Sequence, residues 1–497
     1  MCDEMIFSKY KMIVLVGFAL LSNSVFSAPR VSLPPPPGEG PALADNLIEQ
    51  ADIEDGEYTL KQIRKAGGLV FSTPFNRFDG LGDGPPEVFD DSQSFPFRGD
   101  RPTLQTEMTT MLRINGLDSE SCVECHAVLS RAVVPATMGV GGHGGINDSP
   151  MPGILFLELD DPDGNGIADT TGRVINPPFI FGAGGVELLA KEMTRELQLI
   201  KATVEGSPTG TILALSSKGV SFGVATSNGV GNPATVSIEN GLGIDEDLVV
   251  RPFGRKGEFF SVRDFDRGAM AFHMGIQVEE VFGAGTDPDG DGITDELTIG
   301  EMSALSVFLT TLPPPSVPRL KGDAAAGDQV FKQIGCASCH ISELQTESKF
   351  LTQSFPDIGN DPDANIFMRI NLAGAPTKYK KIRGGGLRIP LFADLKRHDM
   401  GAELAETTGG ELDPFFTTAR LWGIADSAPY LHDGRAATLT EAILAHGGEA
   451  QTTRENFEVL SDAERRQLLT FLRSLKLPNE RRINKVERLI RSQANSN

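Results

Sequence analysis

Three things are scarce in this chain. Basic residues are outnumbered, 45 Lys plus Arg against 67 Asp plus Glu, for a formal net charge of −22. That balance speaks against nucleic acid and anionic membrane surfaces as partners. Long apolar runs are also missing. Met12 to Leu21 is too short to cross a bilayer, which needs roughly 20 apolar residues, and no later segment comes close. Cysteine is the third, with five in 497 residues. Cys2 lies in a segment shaped like an export signal, where Lys9 and Lys11 precede the apolar run and the small residues Ser22 to Ala28 follow it. The expected mature chain begins near Ala28, is exported and has no membrane span. The other cysteines form two close pairs, Cys122/Cys125 and Cys336/Cys339, and none is left for an ordinary disulfide. A chain of this length builds a core large enough to do without one.

The length suggests two or three compact units. Pro34 to Pro37 and the following GEGPALADN read as an extended tether, and Pro313 to Pro315 with Pro318 mark a second break. The expected division is a signal over 1–27, an extension over 28–100, an N-terminal unit over 101–320 and a C-terminal unit over 321–497. The halves share a repeat: Glu301, Leu305, Phe308, Leu309 and Leu312 recur as Glu464, Leu468, Phe471, Leu472 and Leu475. That spacing paints one face of a helix. Each copy opens with a capping-box signature, Thr298 with Glu301 and Ser461 with Glu464. A further helix is expected over Ala324 to Ile334, running into the second cysteine pair. Between cysteine pair and repeat helix the first half is about fifty residues longer, with the excess in Gly-, Val-, Ser- and Thr-rich stretches (Thr209 to Gly243) suited to hairpins. The predicted fold is mainly α, with small β and loop insertions in the N-terminal half.

CVECH at Cys122 to His126 and CASCH at Cys336 to His340 both fit C-x-x-C-H. Two thiols three positions apart can add to the two vinyl groups of one haem, while the adjacent histidine ligates the iron. A zinc site would need four ligands in compact pairs, and a redox CxxC a thioredoxin-like βαβ setting. Neither context is visible, so two covalently bound c-type haems are the expected cofactors, with Cys122, Cys125 and His126 holding one and Cys336, Cys339 and His340 the other. Five histidines remain: His143, His273, His398, His432 and His446. His273 and His446 each end a short apolar stretch, AMAFH and AILAH, and are the candidates for the far side of the irons; a helix-end histidine bonded to backbone is the plainer alternative.

The stretch TARLWGIADSAPYLHDGRAATLTEAILAHGGEA (Thr418 to Ala450), RHDMGAELA around His398 and NPPFIFGAG at Asn176 to Gly184 resemble the bacterial di-haem cytochrome c peroxidase superfamily, in particular its di-haem oxidoreductase branch. The resemblance implies two cytochrome-c-like domains facing each other, each with a haem, and electrons passing between them in the periplasm. It implies that His446, fourteen residues beyond His432, is the distal ligand of the C-terminal haem, where peroxidases of the family carry Met. It places His432 behind the ligands. For the N-terminal haem the peroxidases use a distal glutamate within a WDGR motif absent here, and Glu187 is the substitute, an amphipathic surface helix being the other explanation for it. Trp422, the single tryptophan, lies beside the C-terminal motif as a wall of the haem pocket or a relay between haems.

Two Asp-rich loops repeat each other: Asp161, Asp163, Asn165 and Asp169 in DPDGNGIAD, and Asp287, Asp289, Asp291 and Asp295 in DPDGDGITD. Oxygens at positions 1, 3, 5 and 9 with Gly at 6 resemble calcium loops, although both lack the twelfth-position Glu; plain acidic turns are the alternative. Three functions compete. The first is a peroxidase-like enzyme that reduces a small-molecule oxidant with electrons from a small redox protein. The second is a di-haem carrier with both irons six-coordinate, and the third a di-haem enzyme that oxidises an organic or protein substrate.

Overall fold

The computed structural model describes residues 40–43, 47–82, 119–124, 126, 176–177, 180–238, 243–287, 291–408 and 411–478, and the backbone of 103–106 and 109–112. All belong to one compact unit, Glu39–Asn497. Cys125, His143, Asp161, Asp163, Asn165, Asp169 and Asp289 lie outside the described residues.

The helices are α1 Gln50–Glu54, α2 Leu60–Ser72, α3 Ala183–Glu205, α4 Val262–Ala269, α5 Glu279–Phe282, α6 Ile299–Thr310, α7 Asp323–Gln333, α8 Leu439–Leu444, α9 Gln451–Glu458 and α10 Asp462–Leu472. The strands form small antiparallel sheets. β1 Thr103–Thr106 pairs with β2 Thr109–Leu112, and β3 Ile212–Ser217, β4 Val220–Thr226 and β5 Thr235–Ile238 make a meander. β6 Leu344–Gln345 and β9 Lys380–Lys381 flank β10 Leu387–Ile389, while β7 Phe350–Ser354 pairs with β8 Ile366–Asn371. β11 Arg397–Asp399 pairs with β14 Phe415–Thr417, and β12 Glu406–Thr408 with β13 Glu411–Asp413.

The mainly α expectation is therefore corrected. Among the described residues helix makes up 35% and strand 16%, spread over several small sheets. The meander falls in the predicted hairpin region, but β6 to β14 all lie after the second cysteine pair, where none was expected. The cause is length. Strands of two to six residues carry too few alternations to register as a period, whereas the capped helices announce themselves through both cap and repeat.

The internal repeat is real in three dimensions. Both capping boxes form, with Thr298 and Ser461 accepting from the backbone N–H of Glu301 and Glu464 and each glutamate reaching back to its N-cap residue, at about 1 kcal/mol per cap. Helix α6 crosses α2, and α10 crosses α7. At each crossing a glycine lies under a carbonyl at the same repeat position. A Cβ on Gly67 would stand 1.8 Å from Ala304 O, and one on Gly327 would stand 2.0 Å from Gln467 O. Four residues on, Phe71 meets Phe308 at 5.4 Å between ring centroids, and Phe331 meets Phe471 at 5.3 Å. Helix α7 is the element expected over 324–334. Its counterpart α2 comes from the stretch read as an extension, separated from its cysteine pair by a long insertion.

The crossings sit in different cores. Phe71 and Phe308 belong to a large cluster that also takes in Leu344, Leu351, Ile370, Leu387 and Trp422 from beyond residue 320. Phe331 and Phe471 lie in a smaller cluster with Phe392, Leu421 and Phe457.

Candidate functional site

Each cysteine motif begins with a single 3₁₀ turn, over Cys122–Glu124 and Cys336–Ser338. The histidine backbone closes it: His126 N donates to Cys122 O at 2.9 Å, and His340 N to Cys336 O at 3.0 Å. Each histidine then stands over the aromatic of its own crossing, His126 at 6.4 Å from Phe71 and His340 at 6.3 Å from Phe331. Cys122 and Cys336 pack against the large and the small core respectively. Burial pushes the Cys336 thiol up to about 12, so it is protonated. Turn, helix crossing and aromatic thus coincide in both halves.

His446 and His273 each lie close enough to a CxxCH histidine to act on it electrostatically. His340 is held near pKa 4 by burial and then by the charge of His446, and His126 near 4 by burial and then by His273. Each CxxCH histidine therefore has the expected second histidine as its neighbour. His340 Nδ1 donates to Phe392 O at 3.0 Å, and His446 Nδ1 to Ala442 O at 2.8 Å. Carbonyls only accept, so both rings carry the proton on Nδ1 and leave Nε2 unprotonated, the form in which it could ligate a metal. Burial lowers the pKa of His446 as well, which keeps it neutral. Phe392 reaches its position at φ +56, a strained pose for a side-chain-bearing residue, and that pose turns its carbonyl onto His340. His273 sits in a π-helical turn, Met270–Met274, that continues α4.

The resemblance motifs meet one another. Asn176 N donates to His432 O at 2.7 Å, and its Nδ2 to Pro429 O and Leu431 O at 2.8 and 3.0 Å. The NPP and HDG segments are thereby pinned together. The His432 ring stacks on Phe416 at 4.5 Å and has Nε2 3.3 Å from Glu406, whose carboxylate already takes Arg255 Nε at 2.9 Å. Burial therefore prevails over Glu406 and holds His432 near pKa 4, uncharged. Gly182, at φ +81, seats the Trp422 indole; a Cβ there would lie 2.8 Å from Trp422 Cζ2. Trp422 is fully buried and its Nε1–H has no partner, an orphan donor of the kind a haem carboxylate satisfies.

Glu187 is engaged elsewhere. It is buried and raised by that burial, but Oε1 pairs with Lys191 at 2.9 Å and Oε2 accepts from Val262 N at 3.0 Å. Sequence reasoning passed over two groups. Asp266, one turn beyond Val262, is buried with Oδ2 unpartnered, and burial raises its carboxyl well above the ordinary range. His398 lies against Cys339, with Sγ 3.8 Å from Nδ1. The RHDMG motif flagged His398 as part of a resemblance but gave it no task. Asp266 left no mark in the sequence. In the second Asp-rich loop, Asp287 accepts from the backbone N–H of Asp291 and Gly292, and Asp295 from Gly285 N.

The donor types suit haem at both places: thiol and imidazole within one turn, a second imidazole nearby and an aromatic ring beside the first. Among known proteins, residues 305–475 match the family model described as "Di-haem oxidoreductase, putative peroxidase". Cytochrome-c peroxidase IdrP2 of Pseudomonas sp. (strain SCT) is 28% identical over 190 residues, 35% of this chain and 47% of that protein, so the chain spans about half the length of the curated relative it matches. Among solved structures, Kuenenia stuttgartiensis hydrazine synthase aligns at 16% identity over 57% of this chain and 87% of that one, with a TM-score of 0.26. A MauG-like protein associated with microbial copper homeostasis aligns at 14% identity over 61% and 91%, also at 0.26. Those two scores are too low to bear on the fold. Residues 305–475, which run from the middle of α6 to just past α10, are thus similar to the di-haem oxidoreductase family.

Proposed function

We propose that this chain is an exported, periplasmic c-type cytochrome enzyme with one haem bonded to Cys122 and Cys125 and the other to Cys336 and Cys339. It takes electrons from a small redox protein and passes them between the haems to reduce a small oxidant such as hydrogen peroxide. The observation that carries this reading is the repeated unit of CxxCH turn, glycine-seated helix crossing and a second histidine near enough to lower the pKa of the first. When bound, each haem supplies a one-electron iron couple and, at an iron with an exchangeable sixth position, a site for peroxide.

The chain's own residues divide the work. His126 and His340 are the proximal bases, and Phe392 O fixes the orientation of His340. His446, with Nδ1 tied to Ala442 O, would be a second, fixed base for the C-terminal haem, which would then supply electron transfer. His273, on a π-turn of the kind that recurs at functional sites, is the ligand able to leave. Trp422 Nε1–H holds a haem carboxylate, and His432 braces the wall behind. The Asp-rich loops bind calcium and stiffen the N-terminal half.

Mixing the fully reduced, calcium-loaded protein with peroxide and a reduced small cytochrome tests the reading, the expected result being catalytic cytochrome oxidation. The apposition of His126 and His273 favours one other reading, a carrier with both irons six-coordinate. An exclusively low-spin paramagnetic resonance spectrum, with no turnover after reduction, would establish that carrier in place of the enzyme.

A further inference from the structure

Beside the second cysteine pair lies a set of charges that the chemistry above does not use. His398, on β11, is buried, and both its ring nitrogens meet carboxylates: Nε2 is 2.8 Å from Asp394 Oδ2 and Nδ1 is 2.9 Å from Glu449 Oε2. Ionised carboxylates only accept hydrogen bonds, so both nitrogens donate, and the ring that donates twice is the imidazolium. The carboxylates are themselves fixed. Asp394 Oδ1 accepts from Thr418 Oγ1 at 2.7 Å and Lys396 N at 3.0 Å, and Glu449 Oε1 from Asp399 N at 3.1 Å. Burial by itself lowers the pKa of His398, but hydrogen bonding and charge from Asp394, with Cys339 as the free thiol adding to them, outweigh it and raise the group above its ordinary value. The same Nδ1 stands 3.8 Å from Cys339 Sγ, the atom that becomes the thioether edge of the C-terminal haem in the proposed function.

We propose that His398 is a positioning residue, a fixed cation at the thioether edge of the C-terminal haem that raises its reduction potential. The inference rests on haem attachment at Cys339. Reduction removes one positive charge from the iron, so a cation held close by in a medium of low dielectric favours the ferrous form. Without it, the negative charges of Asp394 and Glu449 would face that edge with no cation between them. Two imidazole ligands already favour the ferric state, so the cation restores the capacity of this haem to accept electrons.

The test is a spectroelectrochemical titration of the full chain after haem staining has counted two haems. The C-terminal wave is the one that His446→Met moves. His398→Gln is expected to lower the ferrous-to-ferric ratio of that wave at least tenfold at fixed ambient potential, about 59 mV for a one-electron couple, with the other wave unmoved. His398→Arg, which restores a cation between the same carboxylates, is expected to return it. Glu449→Gln, at a part-exposed position, leaves the imidazolium paired with Asp394 and is expected to shift the wave the opposite way. An unmoved wave in His398→Gln, or an Arg variant that shifts like the Gln variant, overturns the inference. If His398→Gln does not fold, the absence of an upward shift in Glu449→Gln does the same. A stain showing no haem at Cys339 removes the proposed function as well, and so is distinguishable from failure of this inference alone.

Discussion

The two helix crossings carry the same contacts and live in different surroundings. In the first, α6 is buried on every side from Gly300 to Thr310, because α1, α2, α3 and α4 all pack on it. In the second, α10 buries only Leu468, Phe471 and Leu472, and packs chiefly on α7. The first is the centre of the large core and the second an appendage with its own small one. The far-side histidines differ in parallel. His446 follows an ordinary capped helix and is locked by Ala442 O, whereas His273 rides on a π-turn. Equivalent contacts thus end in a second histidine tied to a backbone carbonyl in the C-terminal half and in one carried on a π-turn in the N-terminal half.

The largest test of this equivalence removes attachment. Replacing Cys336 and Cys339 by Ser, or Cys122 and Cys125 by Ser, is expected to leave one haem per chain by intact mass and haem staining, and to abolish peroxide turnover in both cases. Unchanged haem content in either variant would break the parallel between the motifs.

Next come the crossings. Gly67→Val and Gly327→Val each force a side chain into a carbonyl that lies within 2.0 Å of the ideal Cβ position. Overpacking of this kind costs about 1–3 kcal/mol. The Gly67 variant is expected to lose more in denaturant unfolding, since the enclosed α6 has no room to slide while α10 can shift toward solvent. A larger loss at Gly327 would contradict the picture of the second crossing as the freer one.

The ligand exchange is subtler and sharpens the functional contrast. His446→Met is expected to keep the C-terminal haem low-spin while raising its potential, because a thioether favours the ferrous state. His273→Ala is expected to open the N-terminal iron, increase the high-spin resonance signal and shorten any activation lag in turnover. A spectrum indistinguishable from wild type in the second variant would make His273 a structural residue, and would turn attention to Asp266, a buried acid on the helix that leads into the π-turn.

The smallest expected effect is that of calcium. Clustered carboxylates repel one another without a cation, so excess calcium is expected to raise the melting temperature by a few degrees over chelator, confined to the N-terminal unit. Identical melting in both conditions would show the Asp-rich loops to be plain turns.

Much of the site was legible because its signals are local. The CxxCH spacing, the two capping boxes and the 4, 3, 1, 3 apolar spacing each lie within a dozen residues, and each reappears as a turn, a cap or a crossing. The strands of the C-terminal half were not legible, because pairs such as β11 with β14 bring together residues far apart in the chain and too few to show a period. The same holds for Glu187. Its place on an amphipathic-looking segment left open whether it faces an iron, and only folding showed it bound to Lys191 and Val262 N.

The sequence by itself singled out the two CxxCH motifs and the histidines His273 and His446, since those depend on residue type and short spacing. Tertiary structure alone decided that α2, and not a helix beside the first cysteine pair, completes the first crossing, that Asn176 pins the HDG loop, and that His398 stands charged between Asp394 and Glu449. Each of these joins residues tens to hundreds of positions apart, and the energies that bring them together, close packing against a carbonyl and hydrogen bonding in a buried medium, exist only once the chain has folded.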